Sequence, residues 1–369
     1  RDAMLTVIAA CSLAWTPGSP VACATVRPAR SRSLLLCAPA AQMSERNVAA
    51  DVEGAVVPTA PPPTEDGLSQ RAINRKMAKA SDSETVLRLL TEDVLGCDPK
   101  AENCELVQEL DASHAVNVAT ALHRLAVINK RQRAGRDALL RDSRFQNLVG
   151  AVVDHAADFN ARAVADVLWS FATLQHWPPT LLTPVLTSVS VQLEADSFEA
   201  QHLSTMVWAL AKLECKPVRL LEQMEAQAVP RLAAMNTQNC ANLLWGFAKL
   251  NYKPSVLLPE LSATLRAPGA LEKAKPVEVA DLMFALGLSS SPGKDTDLVS
   301  ALAACAAPGG ALADYTSRQV VILIWAVAKI NAAESLPEGL LDGWVSAVRT
   351  AHEATPLLAH DARNLERAL

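Results

Sequence analysis

The eight residues MVWALAKL, at positions 206–213, are the stretch that decides the fold, because the same phrase returns along the chain at a nearly constant interval. Close copies are VLWSFATL at 167–174, LWGFAKL at 244–250 and IWAVAKI at 324–330, and weaker copies are LHRLA at 122–126 and MFALG at 283–287. The central residues of these copies, called anchors below, are His123, Trp169, Trp208, Trp245, Phe284 and Trp325, which lie 46, 39, 37, 39 and 41 residues apart. A period near 40 residues is typical of stacked helical repeats rather than of one globular core. We therefore predict an all-α fold, a right-handed α-solenoid of stacked helical hairpins of about 37–41 residues.

The unit around Trp208 indicates how each hairpin is built. One apolar face has the helical i, i+3, i+4, i+7 spacing and consists of Leu203, Met206, Val207, Leu210 and Leu213. Trp208 and Ala211 add a second stripe, so we expect a helix buried on two faces, whose Trp is a core residue. Truncating such a Trp to Ala would cost about 3–5 kcal/mol. Residues 196–197 are good N-cap residues, Lys212 closes the last turn, and Pro217 starts the next helix. In the next unit, Asn236 and Thr237 are the predicted cap.

The chain divides into four segments. Residues 1–50 are an organelle-targeting leader, since residues 3–44 contain Arg, Ala and Ser but no acidic residue. Either a signal followed by a transit peptide or one irregular presequence fits this composition. Residues 51–69 form a Pro-rich disordered linker, residues 70–111 a helical lead-in segment, and residues 112–369 an array of about six units, the last of them complete or truncated. We expect localisation to an organelle matrix, either mitochondrion or plastid, and no membrane association of the mature protein, because the leader's apolar run is too short to span a bilayer.

The unit around Phe284 departs from the pattern. Phe replaces Trp, Gly287 enters the helix, no Lys follows, and residues 308–310 (Pro-Gly-Gly) interrupt the next helix. These changes predict a weak point or bend in the array.

Composition and motifs favour binding over chemistry. Residues 1–111 carry 11 basic and 15 acidic side chains, and residues 112–369 carry 23 and 24, so neither part has the bulk positive charge that is usual for nucleic-acid binders. The sequence has no phosphate-binding loop, no H-E-x-x-H and no G-x-S-x-G motif. We predict no enzymatic activity, no catalytic residue, no metal site, no cofactor and no small-molecule substrate. His123 stands in the anchor position and is interpreted as a packed residue rather than a ligand.

The repeated phrase resembles a known group of proteins. Residues 117–126 (NVATALHRLA) and 244–250 (LWGFAKL) are similar to organellar RNA-binding helical repeats, namely the octotricopeptide-repeat and heptatricopeptide-repeat proteins and the FAST-kinase-like leucine-rich proteins that often end in a RAP domain. They also resemble the helical-repeat subunits of RNA-editing substrate-binding complexes. The resemblance covers about residues 70–369 and implies organellar RNA (mRNA or rRNA) as partner, in RNA processing, stability, ribosomal RNA handling or translation. A RAP domain is not visible before Leu369, so no activity of that module is implied.

Two basic sets are candidate RNA contacts, since Lys and Arg hold RNA through its phosphates. The first is Arg124, Lys130, Arg131, Arg133 and Arg136. The second recurs in register and is Lys212, Lys216, Lys249, Lys253 and Lys329. The first set is equally a solvated connection between helices, and the second equally a set of helix C-terminal caps. A capping Lys is also able to meet a phosphate, so these interpretations are compatible.

Two functions remain open. The first is selective RNA binding without catalysis. The alternative is a protein–protein scaffold, a subunit of an organellar ribonucleoprotein, ribosomal or RNA-editing complex, which the near-neutral and apolar repeats favour.

Overall fold

The computed structural model describes residues 65–95, 112–289, 293–307 and 311–354. These residues form fifteen α-helices and no strand, which confirms the all-α prediction. The helices are α1 (Glu65–Lys79), α2 (Ser83–Leu89), α3 (Ala112–Asn129), α4 (Arg133–Leu139), α5 (Ser143–Asp154), α6 (Ala161–Leu174), α7 (Leu182–Glu194), α8 (Ala200–Lys212), α9 (Val218–Ala228), α10 (Thr237–Lys249), α11 (Leu257–Leu265), α12 (Pro276–Ser289), α13 (Thr296–Ala304), α14 (Ser317–Ile330) and α15 (Leu340–Ala354). The leader, residues 51–64 of the predicted linker, residues 96–111 of the lead-in and residues 355–369 lie outside the described residues. No helix in the described ranges is both long enough and apolar enough to span a bilayer.

The helices that carry the anchors pack side by side in the order of the chain. These anchor helices are α3, α6, α8, α10, α12 and α14, and each has its most extensive contacts with its neighbours in this row. The contact between α8 and α10 is close because Gly246 lies against Val207; a Cβ at Gly246 would lie 2.8 Å from the Val207 carbonyl oxygen. Only Gly allows two backbones to approach so closely. The other helices pack behind the anchor helices, with α7 against α9 and α9 against α11.

Each well-formed anchor helix ends in the same backbone motif. One of the first two residues after the helix has a left-handed backbone conformation. These residues are Gln175, Glu214, Asn251 and Asn331, with φ between 49° and 58°. The following residue donates a backbone N–H bond back into the helix, as from Tyr252 to the Phe247 oxygen at 2.9 Å. This is a Schellman-type ending, which satisfies the last carbonyls and turns the chain. It occurs in these units without Gly, which usually supplies the left-handed residue.

The helix starts agree with the sequence in one unit and differ in another. Asn236 caps α10 and shares a reciprocal capping box with Asn239, so the predicted cap is confirmed there. Helix α8, in contrast, does not begin at residues 196–197. Its N-cap is Glu199, in a capping box with His202, because Asp196 takes a left-handed conformation and still belongs to the preceding turn.

The lead-in segment belongs to the same packing. Helix α1 begins at Glu65, inside the predicted linker 51–69, and packs against α3. Asn74 donates from Nδ2 to Oγ1 of Thr120 at 2.7 Å, and the Nε of Arg124 donates to the Ala80 oxygen at 2.6 Å. The row of packed helices therefore starts one helix earlier than the sequence period indicates.

The unit around Phe284 is not interrupted within its helix. Helix α12 continues through Gly287 to Ser289, and a Cβ at Gly287 would overlap the indole of Trp325. Gly287 therefore makes room for the Trp325 ring, and the helix is not broken at that residue. The interruption predicted at 308–310 lies outside the described residues.

Candidate nucleic-acid interface

The anchors are not core residues, which corrects the prediction from the sequence. Trp169, Trp208, Trp245 and Trp325 are only partly buried and pack against the edge of the core, and His123 and Phe284 are partly buried as well. The core is filled instead by the residue two positions after each anchor. These residues are Leu125, Phe171, Leu210, Phe247, Leu286 and Val327, and each is 0% exposed. Each anchor helix is covered on its flanks by neighbouring helices and at its back by the second layer of helices. Only one stripe of its surface therefore faces solvent.

In each anchor helix, this stripe consists of the anchor itself, the residues seven and three positions before it, and the residue four positions after it. We call the surface formed by these stripes the ladder face, and every one of its residues is partly or fully exposed. Its members are Val116, Thr120, His123, Val127, Arg162, Asp166, Trp169, Thr173, Gln201, Thr205, Trp208, Lys212, Gln238, Asn242, Trp245, Lys249, Val277, Asp281, Phe284, Leu288, Arg318, Ile322, Trp325 and Lys329. Because the anchor helices pack in chain order, equivalent positions on neighbouring helices follow one another across this face.

Aromatic contacts join neighbouring rungs of the ladder face. The rings of His123 and Trp169 are 4.8 Å apart, and those of Phe284 and Trp325 are 5.4 Å apart. Between these pairs, the Lys212 ammonium lies 5.6 Å from the Trp208 ring centroid and 4.9 Å from that of Trp245. A cation over an indole face is attracted by the quadrupole of the ring. The face thus presents aromatic rings, and Lys212 lies over two of them.

Asp281 is the acidic neighbour of this cation. Burial raises the pKa of Asp281 to about 6, although the charge of Lys212 acts in the opposite direction. The carboxylate is therefore partly desolvated beside the Lys212 position, and its charge changes within an accessible pH range.

Replacing Asp281 by Asn is expected to stabilise the protein by about 1–3 kcal/mol near neutral pH and to have little effect below pH ~4. The folded-state pKa of about 6 lies above the ordinary value of 3.8, so the folded state holds the proton more tightly. The free energy of unfolding of the parent protein therefore falls as pH rises between these values, and Asn removes that fall. Urea unfolding at several pH values measures the difference. Replacing exposed Asp154 by Asn is the matched control, and a gain that did not vary with pH would contradict the assignment.

The predicted lysines divide between exposed and bonded positions. Lys212, Lys249 and Lys329 each lie in the last turn of an anchor helix, as predicted, and are exposed on the ladder face. Lys216 donates from Nζ to the Asn251 oxygen at 2.8 Å, so it ties one helix ending to the next. Lys253 is exposed in the turn before α11, outside the ladder face.

The predicted arginine cluster does not form one patch. Arg124 lies beside the ladder face, half buried, with its Nε bonded to the Ala80 oxygen. Lys130 and Arg131 are exposed in the turn after α3, whereas Arg133, with its Nε 3.9 Å from the Asp137 carboxylate, and Arg136 lie on α4. Arg144, the last residue of the basic stretch, is neutralised by Glu84 and Asp142, each at 2.8 Å.

An open groove of about 740 Å³ lies at the start of the ladder face, between α1, α3, α6 and α8. Its lining is largely polar and includes His123, Arg124, Arg162, Asp166 and His202. Burial lowers the pKa of His123, with Asp166 acting against it and Arg162, Arg124 and Lys130 adding to the decrease. The ring is therefore neutral near pH 7, and the neutral imidazole packs against the Trp169 indole.

Sequence reasoning missed Arg162, Asp166, Asp281 and the groove. The signal that finds them is the register: residues three and seven before each anchor share its open stripe, which only becomes visible once the anchor is known to face outward. Of the described residues, no group of three or more His, Cys, Asp or Glu side chains is arranged to hold a metal ion. No protein-family model matches this chain, and no curated protein is significantly similar to it.

Proposed function

We propose that this protein is an RNA-binding helical-repeat protein that acts in organellar RNA metabolism by occupying RNA, and that its ladder face is the RNA-binding surface. The proposal extends to a right-handed α-solenoid, in which the anchor helices line one surface of the superhelix. The observation that carries it is the recurrence, at one register, of partly buried rings followed one turn later by Lys212, Lys249 and Lys329. Single-stranded nucleic acids are bound by such a combination of stacking surfaces and phosphate-binding cations.

The test is binding of the full chain to a fluorescent single-stranded RNA over a range of salt concentrations. Replacing Lys212, Lys249 and Lys329 together by Gln is expected to weaken binding by about ten-fold or more and to lower the slope of log K against log salt by about 0.7 for each lost phosphate contact. The matched control replaces Lys76, Lys273 and Lys294, three exposed lysines outside the ladder face, by Gln. Equal losses in the two triple variants, or no salt-dependent binding by the parent protein, would contradict the proposal.

A protein partner is the second candidate, because part of the ladder face is apolar or acidic. Val116, Val277 and Leu288 are 42%, 51% and 45% exposed, and Asp166 and Asp281 lie on the same face. Such residues suit a protein surface better than a phosphate backbone. Crosslinking in isolated organelles, followed by sequencing of bound RNA and identification of bound proteins, separates the two. Protein partners without crosslinked RNA would favour the scaffold.

A further inference from the structure

The groove at the start of the ladder face has the size of a small-molecule site. Its volume of about 740 Å³ falls within the range of pockets that hold ligands, roughly 300–1,000 Å³. Four helices contribute to it: Asn74 comes from α1, Thr120 from α3, Asp166 from α6 and Gln201 from α8. Asn74 is already fixed by its bond to Thr120, so this part of the wall is held in place by a contact between helices.

Two guanidinium groups supply positive charge to the groove. The Nε of Arg124 donates to the Ala80 oxygen, which fixes this side chain in the groove lining. The side chain of Arg162 is 82% exposed, and its Nε is 3.7 Å from the Asp166 carboxylate. Guanidinium groups match the geometry of phosphate with paired N–H donors.

Charges of both signs surround His123 in the groove. Burial is the main cause that lowers the pKa of this ring; Asp166 opposes the decrease, and Arg162, Arg124 and Lys130 add to it. An anion that enters the groove would meet the Arg124 and Arg162 guanidinium groups, with the Asp166 carboxylate beside Arg162.

The remaining groups suit a ribose and a base. The His123 and Trp169 pair offers ring surface next to the groove. Nδ1 of His202 accepts the Glu199 backbone N–H at 3.2 Å, so the neutral ring carries its proton on Nε2 and can donate there. The Glu199 carboxylate is bonded in the capping box, and the Asp166 carboxylate is able to accept from a sugar hydroxyl or a base amine.

We infer that the groove between α1, α3, α6 and α8 binds a nucleoside monophosphate unit, with its phosphate on Arg124 and Arg162 and its base against the His123 and Trp169 rings. The unit is either a free nucleotide or the 5′-phosphorylated end of an RNA. Binding of an RNA end rests on the proposed function, whereas binding of a free nucleotide does not.

Two measurements on the full chain test this site. Titration with uridine 5′-monophosphate, followed by the NMR signal of the His123 ring, is expected to shift that signal and to raise the pKa of His123, because the bound phosphate stabilises the protonated ring. Binding of one short RNA is then compared with a 5′-phosphate and with a 5′-hydroxyl. Replacing Arg162 by Gln is expected to weaken phosphate-dependent binding by about ten-fold or more. Replacing Arg219, an exposed residue of α9, by Gln is the matched control.

The outcomes separate this inference from the proposed function. A His123 shift with the mononucleotide, lost in the Arg162→Gln variant, supports the site; a preference for 5′-phosphorylated RNA then identifies the RNA end as the source, and no preference identifies the free nucleotide. A His123 shift in a protein that binds no RNA would keep the site and overturn the proposed function. RNA binding that ignores the 5′-phosphate, together with no mononucleotide shift at His123, would overturn the site and leave the proposed function standing.

Discussion

Replacing Trp344 by Ala is expected to lower the free energy of unfolding by about 3–5 kcal/mol, the full cost of deleting a large core side chain. Trp344 is 0% exposed in α15, and its Nε1 donates to the Ala306 oxygen at 2.7 Å across 38 residues of chain. The variant would leave both a cavity and a carbonyl without its donor. Among the tryptophans in the described ranges, Trp344 is therefore the fully buried one, although it lies outside the repeated phrase.

Urea unfolding and amide hydrogen exchange measure this effect. Because repeat arrays open locally, the loss of protection is expected first in α13, α14 and α15, which surround Trp344. Trp208→Ala is the comparison, since the same side chain is truncated at a partly buried anchor; about 1–2 kcal/mol is expected there because less apolar surface is lost from the core. If Trp208→Ala destabilised the protein as much as Trp344→Ala, the assignment of the anchors to an open face would be wrong.

Replacing Glu225 by Ala is expected to lower the free energy of unfolding by about 3 kcal/mol. Nothing in the sequence around Glu225 distinguishes it from the other charged residues of α9. Its side chain is only 5% exposed. One carboxylate oxygen accepts from the Tyr252 hydroxyl at 2.7 Å, and the other accepts from the backbone N–H groups of Val256 and Leu257 at 2.8 and 3.1 Å. Glu225 of α9 thus caps the start of α11 from outside that helix, where a negative charge also meets the positive end of the helix dipole.

The neighbouring phenol supports this arrangement. Burial, followed by the hydrogen bond and charge of Glu225, raises the pKa of Tyr252 above its ordinary value, so the hydroxyl remains a donor. The Ala variant would remove the acceptor of three donors in a partly buried turn. Glu225→Gln keeps one acceptor oxygen and should cost less, and replacing exposed Glu222 by Ala is the control for loss of charge on α9. Equal effects of Glu225→Ala and Glu222→Ala in thermal unfolding would show that the capping contacts contribute nothing.

The helices and their register could be predicted from the sequence because those signals are local. The i, i+3, i+4, i+7 spacing around Trp208 predicts a helix there. Asn236 predicts the start of α10, and the lysines of the last turns predict where α8 and α10 end. The start of α8 was misplaced because Ser197 is a good cap by type, while the reciprocal box of Glu199 and His202 is less familiar. The lead-in helix α1 lacks an anchor, so its place in the row was not visible in the period.

The candidate site could be predicted only in part. The period located the anchors and the lysines that follow them, but apolar character alone does not distinguish a buried Trp from one that covers the edge of a core. Asp281, Arg162 and the groove depend on which stripe of each helix stays open. Lys216 and Arg144 look like free cations in the sequence, and their partners, the Asn251 oxygen and Glu84, lie 35 and 60 residues away.

The sequence by itself determined that this protein is helical, where its repeated unit lies and which residues share a register, because helix periodicity, caps and turns depend on neighbours within a few positions. The tertiary structure alone decided which side of each anchor helix is buried, since that depends on the helices packed on both flanks and behind. It placed Phe247 in the core and Trp245 on the open face, although both are aromatic and two positions apart. The helical turn rotates successive residues by about 100°, and only the neighbouring helices fix which direction points inward.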